Sequence, residues 1–405
     1  MTREIKFLIA ICGLLSVSLV SFAERVKFVE TAAGENTSLS RLVVDTNEKL
    51  HLSWVKTEGD HQSLYYASLN NDAFGVAKLI SQGENWFVNW ADFPSLVVNE
   101  NGMAAHWLQM SAEGTYDYDV RASFFDTEKQ SWRTNIIVHK DGINAEHGFV
   151  SMLPMAGNKT FITWLDGRLT KTKDEQGHPG GMTLRAGVFD GEGKVLEDWL
   201  LDDLTCDCCQ TSAAMSGTGP MVAYRDRTKD EVRDIYITRL ENDTWSEPVA
   251  ISNDNWIVAG CPVNGPDIAS KNDLTAVAWF SAKNDHPEVK LVFSHDDGQT
   301  FSDPVVVASK TTNGRVGVTI LDSGLVAVTW LETAGEDAKI MMAIYDKELE
   351  KSAVLVESLV IAETKSSRRS GFPTVESIGN QIFVTWTDLS SASKVQVAMF
   401  SLTAT

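Results

Sequence analysis

The 405-residue chain carries 35 Lys and Arg against 55 Asp and Glu, a formal charge of −20. That acidity argues against nonspecific binding to nucleic acid or attraction to an anionic membrane, since both require a basic face. An anionic ligand would need a local cluster of guanidinium groups.

In chain order, residues 1–23 read as a secretory signal. Arg3 and Lys6 form a basic start, Phe7 to Phe22 is apolar, and Ser21-Phe22-Ala23 has the small-x-small cleavage pattern. Gly13, Ser16, Ser18 and Ser21 dilute the apolar run below what a membrane span needs. Cleavage after Ala23 leaves residues 24–405 as one secreted or periplasmic domain, with no membrane association. Loss of Arg3, Glu4 and Lys6 makes the formal charge −21.

An aromatic residue then ends a short apolar run seven times, at Trp54, Trp107, Trp164, Tyr224, Trp279, Trp330 and Trp386. Subtracting successive residue numbers gives spacings of 53, 57, 60, 55, 51 and 56, the size of a four-stranded propeller blade. Each repeat reads as four strands. Strand A is short, as in Phe93 to Val98, and a Gly/Asn/Asp turn such as Asn99 to Gly102 follows. Strand B ends at the aromatic. Strand C alternates, as in Val120 to Phe125, and strand D often opens on an aromatic such as Trp132, Trp245 or Phe301.

The seventh repeat stops after strand C, near Thr405. Val26-Lys27-Phe28-Val29 can supply its missing fourth strand, which would remove two free sheet edges. The expected fold is therefore all-β: a β-propeller of four-stranded blades, seven by repeat count, closed by an N-terminal strand. The seven aromatics are expected in the core, because they recur at one strand position.

Ser294-His295-Asp296-Asp297-Gly298-Gln299-Thr300-Phe301 fits the Asp-box, Ser-x-Asp-x-Gly-x-Thr-aromatic. Its carboxylate and hydroxyl groups can bond turn amides, and its glycine relieves the backbone. The segment resembles that of the sialidase (neuraminidase) BNR-repeat superfamily, with Ser294, Asp296, Gly298, Thr300 and Phe301 as structural positions. Six blades are usual there, so seven repeats mark a divergent member. The resemblance implies a glycoside hydrolase of exo-sialidase type, with an arginine cluster, a tyrosine nucleophile with a carboxylate base, and an acid/base aspartate. It would make Asp92 the acid and Glu332 the base. The chain departs from this pattern at Ser40-Arg41-Leu42, where an Arg-Ile-Pro-like element is expected. It also has no tyrosine in a late loop of the active face.

In a four-stranded blade the A–B and C–D turns share one face, and the B–C and D–A loops share the other. Reactive side chains concentrate in the second set, and these are expected to gather round one central mouth. Arg168, Arg225, Arg227 and Arg315 are the candidate residues for a small anionic ligand or glycan, against the plainer reading of ion pairs between loops. Arg185 and Arg233, near the starts of C strands, are less well placed.

Cys206, Cys208 and Cys209 lie in one D–A loop and Cys261 in the next. Three readings stand open: two disulfides, one inter-loop disulfide with two thiols left over, or a thiolate site for Cu or Zn joined by His139 or His147. His106 is expected as a packed core residue and His178 as a solvated one. Three functions follow: a glycan-binding or glycan-cleaving propeller, a periplasmic metal or redox protein, or a scaffold for a protein partner.

Overall fold

A computed structural model describes residues 26–173, 177, 179–346 and 354–402. The signal segment 1–23 and His178 lie outside these. The described residues form seven antiparallel sheets. Their inner strands are Thr37–Val44, Ser95–Asn99, His147–Met155, Ser212–Met215, Asp267–Lys271, Thr312–Ile320 and Thr374–Ile378. Each inner strand contacts that of the next blade and the seventh contacts the first, so the sheets form a closed ring. The architecture is a seven-bladed β-propeller, as the repeat count predicts.

The second strand of every blade carries the repeated aromatic. All seven are at most 3% exposed. These strands are buried almost throughout, as in Lys159–Asp166, where every residue after Lys159 is buried, because neighbouring blades cover both their faces. In blades 1, 2 and 4 the outer strand is split into two short pieces, such as Ala73–Phe74 and Lys78–Glu84. Blade 7 takes its outer strand from the other end of the chain. Val26–Val29 pairs antiparallel with Lys394–Ser401, from Val26 opposite Phe400 to Val29 opposite Val397.

Three inner strands are bulged near their upper ends: between Ser38 and Arg41, Gly148 and Ser151, and Gly314 and Gly317. Leu39, Phe149 and Arg315 occupy the bulges with φ of 54°, 53° and 52°. A bulge re-aims the side chains after it, and this one recurs at the rim. The inner strands surround a central cavity of about 470 Å³, whose lining includes Arg41, Asp92, Asp267 and Glu376.

The Asp-box forms the C–D turn of blade 5, between Glu288–Ser294 and Val305–Ser309. Asp296 accepts bonds from the Thr300 amide (2.9 Å) and hydroxyl (2.6 Å), the Gln299 amide (3.0 Å) and the Ser294 hydroxyl (2.7 Å). Gly298, at φ 74°, donates its amide to the Ser294 hydroxyl at 2.9 Å. Phe301 packs against the core shared by blades 4 and 5.

The bonds from Thr300 and its neighbours outweigh partial burial and hold the Asp296 carboxyl down at about 2. A carboxyl depressed in the fold stabilises it above the unfolded-state pKa, and that stability disappears as pH falls through the folded value. Asp296→Asn should therefore lower the melting temperature at pH 7. The gap from wild type should close as pH drops from about 4 toward 2, as read from thermal melts across that range.

Candidate functional site

The upper face, made of the B–C and D–A loops, carries the clustered chemistry, but its groups do not meet at one mouth. None of Arg168, Arg225, Arg227 or Arg315 lines the central cavity. Arg225 is 2% exposed, and its guanidinium donates to the backbone carbonyls of Asn264, Arg233 and Phe280 at 2.6–3.0 Å. Arg315 donates to Ser367 O, Ser370 Oγ and Gly371 O while stacked on Trp90. Arg168 forks onto Asp166, and Arg227 onto Asp207 and Glu231. Loop carbonyls and carboxylates thus take the groups proposed for an anion. Arg41 is the arginine that does line the cavity, with Asp267 and Glu376 as its charged neighbours.

Glu332 also stands apart, whereas Asp92 lines the cavity as a buried group. Glu332 is in blade 6 and accepts the Trp330 indole N–H at 3.0 Å. Asp92 is 1% exposed, between blades 2 and 3. It accepts the Phe149 amide at 2.8 Å and the Tyr118 hydroxyl at 3.0 Å. Gly148 is required here, because a Cβ on it would lie 2.0 Å from the Asp92 carboxylate. The Tyr118 hydroxyl also stands 3.0 Å from Glu146, but Tyr118 is completely buried. His106 is buried as expected, near Ser95 and Met152, and burial pushes its pKa down to about 3.

The sulfurs do converge. Cys206, Cys208 and Cys209 place their Sγ atoms within 4.8 Å of one another, and Cys206 is 3.4 Å from Cys209. Among the described residues Cys206, Cys208, Cys209 and Cys261 are free thiols. The neighbouring Cys206, Cys209 and Cys261 thiols hold the pKa of Cys208 up. Cys208 and Cys209 pull Cys206 well below the usual thiol range, and Cys208 lowers Cys261 to about 7. Arg233 points Nη1 at the Cys206 sulfur, 3.1 Å away.

Arg233 was less well placed in sequence because it precedes a C strand. In the fold its amide donates to Trp256 O at 2.9 Å, and this anchors the B–C excursion beneath the cysteine loop. Sulfurs sharing one zinc at about 2.3 Å lie within about 4.6 Å of each other, close to the separations seen.

His147 does not join the sulfurs. It is wholly buried, stacked on His139 at 3.5 Å, and faces Asp141 and Asp166 at the junction of blades 2 and 3.

Burial raises Asp92 to about 7 and Glu146 to about 8. An acid whose folded pKa lies above its unfolded value stabilises the fold below the unfolded pKa, and that contribution is lost as pH rises through the folded one. Wild-type stability should fall between about pH 4 and pH 8. Asp92→Asn keeps an acceptor for Tyr118 and Phe149. It should match wild type near pH 4 and exceed it by about 2–4 kcal/mol at pH 8, measured by urea unfolding.

No protein-family model matches the chain, and no curated protein matches its sequence. Solved structures do match in shape. Phage phi92 endosialidase superposes with a TM-score of 0.52 at 8% identity, covering 94% of this chain and 69% of the other. The NanB sialidase of Streptococcus pneumoniae gives 0.47 at 10% identity, covering 88% and 84%. A GH93 alpha-L-arabinofuranosidase of Fusarium graminearum gives 0.48 at 11%, covering 90% and 93%. At such identities the likeness is one of fold: the chain is a β-propeller similar in shape to these glycan-acting enzymes.

Proposed function

We propose that this chain is an extracytoplasmic propeller that holds one soft metal ion on Cys206, Cys208, Cys209 and Cys261. The observation that carries the reading is that Cys206, Cys208 and Cys209 hold their sulfurs within 4.8 Å of one another, with Cys261 of the next loop near enough to Cys208 to shift its pKa. Each sulfur serves a common centre rather than one of two separate pairs. Soft thiolates select Cu(I), with Zn²⁺ as the next fit. Arg233 and the buried Arg225 favour thiolate at Cys206, which a metal requires.

Protein purified without oxygen should bind one Cu(I) per chain in competition with a chromophoric chelator. Cys208→Ser should weaken that binding at least about tenfold, the scale even of outer-shell losses. Four sulfurs found in two disulfides by mass spectrometry, with no copper bound after reduction, would overturn the assignment.

A second reading places a glycan in the central cavity. It draws on the endosialidase-like shape and on polar lining that includes Arg41, Asp267, Glu376, Ser95, Ser151 and Ser212. Three carboxyl groups, Asp92, Asp267 and Glu376, against Arg41 and Lys271 suit sugar hydroxyls better than a strongly anionic glycan. Cleavage of the exo-sialidase type would require Asp92 to act from its buried position. A panel of neutral and acidic glycans, with fluorogenic glycosides alongside, tests the reading. Binding that Arg41→Lys abolishes would support it, and no retained glycan would remove it.

A further inference from the structure

Independently of the thiols, we infer a second cation site at the junction of blades 2 and 3, built from His139, His147, Asp141 and Asp166 and suited to a borderline divalent ion such as Zn²⁺. Asp166 ends the second strand of blade 3, and His147 opens its inner strand directly opposite. His139 and Asp141 come from the preceding loop. Asp141, His147 and Asp166 bring ligand atoms within 4.8 Å of one another, and His139 joins them through Asp141 Oδ2.

Their separations are those of a coordination shell. His147 Nε2 lies 3.0 Å from Asp141 Oδ2 and 3.6 Å from Asp166 Oδ1, and His139 Nδ1 lies 3.3 Å from the same Asp141 oxygen. Ligands about 2.0–2.1 Å from a tetrahedral zinc stand about 3.3 Å from each other. His139 is 4% exposed, yet neither of its ring nitrogens makes a hydrogen bond. A buried imidazole without partners is costly unless something takes its lone pair.

The outer nitrogens complete the case. His147 Nδ1 lies 3.1 Å from the Ala145 carbonyl and 3.3 Å from that of Tyr118, so the proton belongs there and the Nε2 lone pair faces the two aspartates. Lone pair against carboxylate is repulsive until a proton or a metal cation lies between them. His139 has Asp119 Oδ1 3.5 Å from its Nε2, the carboxylate–histidine arrangement that orients metal ligands.

Charge agrees as well. Asp119, Asp141 and Asp166 are opposed by Arg168, which contacts Asp166 at 2.6 Å and Asp141 at 3.1 Å. Arg121 also pairs with Asp119 at 3.3 Å, so three carboxylates against two guanidinium groups leave one negative charge for a cation to offset. The imidazoles are parallel to within 4°, so binding must tilt one ring for both lone pairs to converge. His139, which no hydrogen bond restrains, is the ring able to turn. Arg168, with 24% of its side chain exposed, lies across the carboxylates on the solvent side.

The test uses the mature chain, stripped with chelator, its thiols blocked by iodoacetamide and the blocking verified by mass. Titration with Co²⁺ should give one equivalent with ligand-field bands, no sulfur charge-transfer band, and displacement by Zn²⁺. His139→Gln and Asp141→Asn should each weaken binding at least about tenfold, and Asp119→Asn should weaken it on the 10–100-fold scale of outer-shell changes. Melting temperatures show whether each variant is folded, and the isosteric Asp141→Asn keeps the test decisive if His139→Gln is not. Blocked wild-type protein that takes up no Co²⁺, or folded variants that bind it equally well, would overturn the site. Failure of the thiolate centre reads out separately, in the unblocked protein and with Cu(I).

Discussion

Closure of the ring is the constraint on which every juxtaposition at the upper face depends. Four residues near the start of the chain, Val26–Val29, complete the seventh blade. The seam is reinforced where the Thr37 amide reaches Ser393 O at 3.1 Å and the Val395 amide reaches Thr37 Oγ1 at 3.0 Å. Phe28 is solvent-exposed but sets its ring edge-on against the Trp386 indole, 5.8 Å away. Blades contact mainly their neighbours, so an open ring would free two sheet edges and relax each interface in turn. Cys206 and Cys261 approach each other because consecutive D–A loops are adjacent only when the blades are held in register.

Closure also explains the arginines. Loops bridging blades leave carbonyls with no strand partner, and buried polar groups must find one. Arg225 and Arg315 fill that need, each serving several acceptors from segments distant in sequence. A guanidinium presents five donors in a fixed fork and stays charged even where burial lowers Arg315 to about 10. Stacking on Trp256 and Trp90 covers their flat faces. Such groups are struts. Their removal would leave several orphaned carbonyls, which is a stability effect and not a change in ligand affinity.

Periodicity made the architecture legible. Trp54 through Trp386 mark the second strands, Asn99 to Gly102 is a turn, and Val26–Val29 is the closing strand, because backbone pattern and position in the repeat decide all three. The meeting of the cysteine loops was legible for the same reason. Side-chain direction was not. The bulge at Phe149 turns its amide toward Asp92, and nothing in Gly148-Phe149-Val150 announces a left-handed residue there. His147 looked like a partner for the sulfurs because its loop neighbours theirs. Strand pairing instead fixes it opposite Asp166 and below His139. Tyr118, a strand-opening aromatic in the sequence, seals its hydroxyl between Asp92 and Glu146.

Two donor sets of different character therefore share one rim. Sulfurs with guanidinium neighbours suit a soft monovalent ion, because Arg233 and Arg225 already offset the thiolate charge. Imidazoles with three carboxylates suit a harder divalent ion, which their excess of negative charge attracts. Glu146 lies between the sets: it precedes His147 in the chain, and its proton is held more tightly by the nearby charges of Asp207 and Cys261. Metal at the sulfurs would displace the protons of Cys208 and Cys209, so the loaded cluster would be more negative than the thiols it replaces and would hold the Glu146 proton still more tightly. If both proposed sites are loaded, loading of the soft one and protonation beside the harder one would be coupled through this carboxyl group, and equally in both directions.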